Sequence, residues 1–207
     1  MLRSKRRVNL RHASLAPFFA SLTAGVRRAR GWWRQDWPAA ETHFRQGITR
    51  LTRVDAGEGV AVDLFDDRLF DYPWLYATQT GYWSLSDTEL EKLREYLLRG
   101  GFLVTDDFWQ DGEWQVFSET MGRLLPEYPI VEITGGDDEV LHVLYDVDQL
   151  TQVPGLRHLR GFDPATGRIR GLPEPHWRGI YDPKGRLLVA INFNQDIGDY
   201  VIYAMTH

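Results

Sequence analysis

The stretch Ser86–Trp109, "SDTELEKLREYLLRGGFLVTDDFW", constrains the fold more than any other part of the chain. Ser86 and Glu89 stand three residues apart, the spacing at which a serine hydroxyl and a glutamate carboxylate satisfy the orphan N–H groups of a helix start. Leu90, Leu93 and Leu97 follow at helical spacing and give the helix one apolar face. Gly100 supplies the residue type that ends a helix in a left-handed conformation. "FLVT", Phe102–Thr105, is then a short apolar run that predicts a buried strand. Upstream, "PWLYAT", Pro73–Thr78, is a second such run bounded by turn residues. Strand, helix, strand at this length predicts a right-handed crossover between parallel neighbours.

The alternation continues. Asp111 is placed to cap a second helix, with Trp114, Phe117, Met121 and Leu124 along one face before Pro126. "PIVEI", Pro129–Ile133, reads as a third strand. The expected fold is therefore α/β, a doubly wound and mainly parallel sheet covered on both faces. Farther on, Asp163–Pro175 is loop-rich. "WRGIYDPKGRLLVAINFN", Trp177–Asn194, reads as a C-terminal β-hairpin about Asp182, Pro183, Lys184 and Gly185.

Residues 1–34 differ from everything after them. Arg3, Lys5, Arg6, Arg7 and Arg11 precede a mild apolar run from Leu15 to Val26, and Arg27, Arg28 and Arg30 follow. One reading is an export signal, with "SKRRVNL" faintly similar to a twin-arginine signal, which would send the protein to the periplasm. The other is a basic leader or an amphipathic surface helix in contact with a membrane surface, on a protein that stays in the cytoplasm. Both readings put residues 1–34 outside the core and a single domain at residues 35–207.

Composition narrows the function classes. With 43% hydrophobic and 13% aromatic residues the chain can bury a sizeable core, against disorder. The net charge is −5 and no basic stripe lies beyond the first 34 residues, which argues against a nucleic-acid partner. The chain has no cysteine, so thiol nucleophiles, disulfides and thiolate metal sites are excluded together. No H-E-x-x-H helix, phosphate loop, G-x-S-x-G elbow or G-x-G-x-x-G fingerprint occurs, and no cofactor or metal is assigned. A cation held by oxygen ligands stays open, because such sites need no fixed spacing.

Ligands of open parallel sheets bind beyond the carboxyl ends of the strands. The polar residues there are Gln79, Thr80, Gly81 and Tyr82; Asp106 and Asp107; Thr134, Gly135 and Gly136; and Asn194, Asp196 and Asp199. The candidate ligand-binding residues are Gln79, Thr80, Tyr82, Asp106, Asp107, Trp109, His142, Asn194, Asp196 and His207. Successive residues of a strand point to opposite sides, so the two adjacent aspartates should not share one site. In one reading both are structural, one accepting backbone N–H bonds in the turn and the other paired with an arginine such as Arg99; in the other reading one is buried on backbone N–H groups. The other, assigned as Asp107, is expected to face solvent in the cleft. His142 lies in an apolar stretch and is expected as a hydrogen-bonded core residue before a ligand.

"LFDYPWLYATQTGYWSLSDTELEKLREYLLRGGFLVTDDFW", "GRLLPEYPI", "IYDPKGRLLVAINFNQDIGD" and the terminal "YAMTH" resemble the bacterial domain-of-unknown-function family 4159. The similarity runs from about Phe44 to His207. It implies a class I glutamine-amidotransferase-like fold, a flavodoxin-like sheet, and no established reaction. Amidotransferases of that fold carry a nucleophilic cysteine at a tight turn after a central strand; here the comparable place holds Asp106 and Asp107. Glutamine hydrolysis through a thioester is thereby excluded. In the family pattern a further tryptophan-containing stretch separates the N-x-D-x-G-D block from Y-A-M-T-H. Here Asp199 runs straight into Tyr200, so part of the family's cleft wall is expected to be missing.

Two functions follow. The first is a non-catalytic binding module for a polar ligand, carbohydrate included, or a protein partner. Tyr82, Trp83, Phe108 and Trp109 would stack on the ligand while Asp107 and Asn194 hydrogen-bond it. The second is a hydrolase in which a strand-end aspartate acts as general base or cation ligand, helped by His142 or His207. The first is preferred because no nucleophile is visible.

Overall fold

The computed structural model describes residues 19–23, 37–52, 54–133, 138–143, 146–147 and 151–206. In chain order these form β1 (Phe19–Leu22), α1 (Ala39–Thr52), β2 (Val60–Val62), β3 (Trp74–Thr78), α2 (Asp87–Leu98), β4 (Phe102–Phe108), α3 (Gln110–Leu124) and β5 (Ile130–Glu132). They continue with β6 (Phe162–Asp163), β7 (Arg168–Ile169), β8 (His176–Tyr181), β9 (Leu187–Phe193) and α4 (Ile197–Thr206). Seven strands make one mixed, mainly parallel sheet in the order β2-β1-β3-β4-β9-β8-β5, and β6 and β7 pair apart from it as a small antiparallel sheet.

The parallel pairing expected from the sequence is present. β3 and β4 are parallel neighbours in the register Trp74↔Phe102 to Thr78↔Asp106. The helix between them begins as predicted, with Ser86 N donating to Glu89 Oε2 at 2.8 Å and Glu89 N to Ser86 Oγ at 3.3 Å. It ends at Gly100, whose φ of +116° a side chain would rarely allow. Arg186 then closes the end, donating to Leu97 O at 2.8 Å and Gly101 O at 3.0 Å. Leu90, Leu93 and Leu97 are buried with Leu103, Phe108, Phe117 and Val189 in one core. The hairpin about Asp182–Gly185 is also present, β8 and β9 pairing antiparallel.

Two expectations fail. Pro129–Ile133 does not continue the parallel alternation, because β5 sits at the sheet edge, antiparallel to β8. The place beside β4 goes to β9, which is mostly buried, whereas Val131 and Glu132 of β5 are exposed. An interior parallel strand is covered on both faces and reads as a continuous apolar run, a requirement that β9 meets and β5 does not.

The boundary expected at residue 35 fails as well. Phe19–Leu22 is a strand between β2 and β3, with Ala20 and Leu22 buried. The apolar run read as the middle of a leader is in part a four-residue strand buried in the sheet. The basic residues on either side of it, Arg3 to Arg11 and Arg27 to Arg30, lie outside the described residues. So do Thr134, Gly135, Gly136 and His207. Among the described residues no helix is long and apolar enough to cross a membrane.

Candidate functional site

The carboxyl ends of β3, β4 and β9 come together, and the main chain leaves strand geometry at all three. Gln79 (φ 55°), Asp107 (φ 51°), Gln110 (φ 64°) and Asn194 (φ 58°) are the non-glycine residues with positive φ among the described residues. A left-handed conformation costs an ordinary L-residue about 1–2 kcal/mol, and such residues concentrate where function holds them. Four of them at one end of one sheet point to a site.

The aspartate pair is separated by a backbone irregularity in addition to the pleat. The pairing of β4 with β9 shifts register between Thr105 and Phe108, and Asp107 turns left-handed within that shift. Asp106 is fully buried. Its Oδ2 accepts Tyr76 OH at 2.7 Å and the first N–H groups of α4, Ile197 at 2.8 Å and Gly198 at 3.1 Å. It is the member of the pair bonded to backbone N–H groups; the arginine beside the other member is Arg157, and Arg99 instead binds Glu95.

Asp107 departs from expectation. It is 1% exposed and does not face solvent. Gln79 Nε2 donates to its Oδ2, while Trp109 Nε1 at 2.8 Å and Arg157 Nη2 at 3.3 Å donate to its Oδ1. Its side chain lies behind its donors Gln79, Trp109 and Arg157, which line the cleft.

Above it lies a cleft of about 340 Å³ lined by Gln79, Tyr82, Trp109, Gln110, Glu113, Arg157, His158 and Leu172. Gly81 lets one wall form, since a Cβ there would lie 2.3 Å from Glu113 Cβ. Glu113 is committed on both oxygens, to Tyr82 OH at 2.6 Å and Trp109 N at 2.7 Å. His158 sets its ring edge-on to Trp109, centroids 4.6 Å apart. The turn carrying Arg157 and His158 is anchored from below, Leu156 N donating to Asp199 Oδ2 at 2.8 Å.

Asn194 and Asp196 are buried organisers. Asn194 Oδ1 accepts Gln110 N at 2.9 Å and its Nδ2 donates to Glu174 O at 2.8 Å, which joins the end of β9 to the start of α3. Asp196 caps α4 by accepting Asp199 N at 2.9 Å. Burial drives the Asp106, Asp107 and Asp196 carboxyls all above the ordinary aspartate range. For Asp196 the neighbouring charges of Asp107, Asp106 and Asp199 add to that. Burial, and then Arg157, lower the His158 imidazole, so it favours the neutral form.

Of the ten candidates, Gln79, Tyr82 and Trp109 line the cleft and Asp107 lies directly under it. Thr80, Asp106, Asn194 and Asp196 are buried behind it. His142 is not the expected core residue; it is exposed in a short 3₁₀ turn and pairs with Asp146 at 2.9 Å. His207 lies outside the described residues. Trp83 and Phe108, expected to stack on a ligand, are core residues. Gln110, Glu113, Arg157, His158 and Leu172 were not indicated by the sequence. Arg157 and His158 lie in a stretch without strand or helix periodicity, where nothing marks a site residue. Among the described residues no three histidine, aspartate or glutamate side chains are grouped so as to hold a metal ion.

A family model described as a domain of unknown function, DUF4159, matches residues 19–205. The match begins at β1, the strand that the leader reading had set aside. No curated protein matches the chain.

Proposed function

The chain belongs to the DUF4159 family, and from that premise we propose that it is a non-catalytic binding module whose cleft takes a polar, hydroxyl-rich small molecule of the carbohydrate class. One observation carries this reading. Asp107, the best-placed carboxyl, is almost fully buried and receives donors on both oxygens. A general base must come within hydrogen-bond reach of the proton it removes, and Asp107 instead holds the cleft floor together. Amide, phenol, imidazole and guanidinium groups line the cleft with the Glu113 carboxylate, beside aromatic rings, a set that suits hydroxyl-bearing ligands.

We read the sheet as flavodoxin-like, in the class I glutamine-amidotransferase-like group. The parallel order β2-β1-β3-β4-β9 supports this, being the 2-1-3-4-5 order of that class. Without cysteine the chain has no thioester route, which fits a fold kept for binding.

A thermal-shift panel of neutral and acidic monosaccharides tests the proposal. Saturating ligand should raise the melting temperature, and Tyr82→Ala should abolish the rise. A flat response across the panel would overturn it. A second reading, hydrolysis by Asp107, is favoured by the residue's left-handed backbone and raised carboxyl. Turnover of glycosides or esters that Asp107→Asn eliminates would establish it instead.

A further inference from the structure

We propose that the ligand of this cleft carries a carboxylate, which Arg157 captures by exchanging its one hydrogen bond to Asp107. The inference rests on the binding reading above and names the chemistry that the site selects.

The hydrogen-bonding groups of the cleft divide into spent and unspent. Glu113 has both oxygens engaged, by Tyr82 and by the main chain of Trp109. Asp107 has both oxygens engaged by cleft-lining side chains, Gln79 and Trp109. Arg157 is the cationic side chain of the lining, since His158 favours the neutral form. A guanidinium presents five N–H donors in a planar fork. Arg157 makes one hydrogen bond to Asp107, at 3.3 Å, and its side chain is 54% exposed. A buried acid thus points an exposed cation into the cleft while using little of its donor capacity.

The backbone under Arg157 is fixed. Leu156 N is held by Asp199, His158 N donates to Gly155 O at 2.8 Å, and Asp196 N donates to Val153 O at 3.1 Å. The guanidinium is therefore presented from a set position, and its planar fork matches a carboxylate with two parallel bonds. Glu113 in the wall opposes any excess negative charge. That balance favours a single carboxylate over a phosphate dianion. The ring of Tyr82 and the side chain of Gln110 line the rest of the cleft, where the hydroxylated body of the ligand would lie. The class indicated is a sugar acid.

Isothermal titration of the full chain at fixed ionic strength with glucose, glucuronate and glucose 6-phosphate tests this. Glucuronate should bind about tenfold tighter than glucose, the value of one good charge-assisted contact. Arg157→Gln, an exposed position, should remove that preference, and Arg157→Lys should restore only part of it because the fork is lost. Asp107→Asn should tighten glucuronate several-fold by releasing the guanidinium, with folding checked by circular dichroism. The inference is overturned while the binding reading survives if glucose binds as tightly as glucuronate, if glucose 6-phosphate binds tightest, or if Arg157→Gln keeps the preference. Absence of binding by all three sugars removes both.

Discussion

Gly155 lies so close to Asp196 that a Cβ on it would sit 2.4 Å from Asp196 Oδ2 and 3.1 Å from its Cγ. Asp196 cannot yield easily, because it is buried and caps α4 through Asp199 N. The contact sets the height of the turn that carries Arg157 and His158 over the cleft. Gly155→Ala should therefore act on stability and site together. We expect a loss of about 1–3 kcal/mol, the usual range for a forced methyl in packed surroundings. We also expect weaker binding of any ligand that leans on Arg157. Urea melts and titration of the same sample check both, and an unchanged protein would mean that the turn shifts freely.

Asp106 joins the end of β4 to the start of α4 across the whole later third of the chain. Replacing it with Ala strands Tyr76 OH and the Ile197 and Gly198 N–H groups. A buried donor left unpaired costs about 1–3 kcal/mol, so Asp106→Ala should lose at least that much. Asp106→Asn keeps an acceptor oxygen and removes a carboxyl that burial already disfavours in its charged form. It should stay within about 1 kcal/mol of the parent by chemical denaturation. Equal losses from both variants would show that the charge, and not the acceptor, holds α4.

β1 supplies a third test. It lies between β2 and β3, and its Ala20 is fully buried. Removing residues 1–30 would open the sheet between two parallel neighbours and leave both with unpaired ladder groups. The truncated chain should be insoluble or should melt many degrees lower. A melting temperature within a degree or two of the full chain would return β1 to the status of a leader.

The parts of the fold legible in the sequence are those dictated by local rules. Ser86 with Glu89, the leucine spacing and Gly100 fix α2 from neighbours in sequence, and the hairpin follows from Asp182–Gly185. The neighbours of a strand are not local information. Nothing in "PIVEI" says that β9, far along the chain, packs better beside β4, and nothing in "FFASL" separates a signal's apolar run from a short buried strand. The site shows the same division. Gln79, Tyr82, Trp109 and Asp107 follow strands in sequence and were found by that rule. Arg157 and His158 reach the cleft from an irregular segment that Asp196 and Asp199 anchor, a tertiary arrangement that leaves no periodic trace.

The buried carboxyls make a prediction about pH. Burial raises Asp106, Asp107 and Asp196 above the unfolded aspartate value of about 4. Each holds its proton more tightly folded than unfolded, so the stability it contributes is complete below that value and is lost as pH rises through the raised native one. Surface acids such as Asp66, lowered to about 2 by hydrogen bonds from Arg68, act in the opposite sense, so the total curve mixes both. A variant cancels the surface contribution. Asp196→Asn retains an oxygen for Asp199 N and removes the titration, in a place faced by the charges of Asp107, Asp106 and Asp199. Relative to the parent, the variant should gain stability between pH 5 and pH 8, by about 1.4 kcal/mol for each unit of pKa elevation that this interval spans. Urea melts at the two pH values measure the difference directly. A difference between the two proteins that does not change with pH would mean that Asp196 is ionised throughout, with its charge satisfied by groups other than the capped helix end.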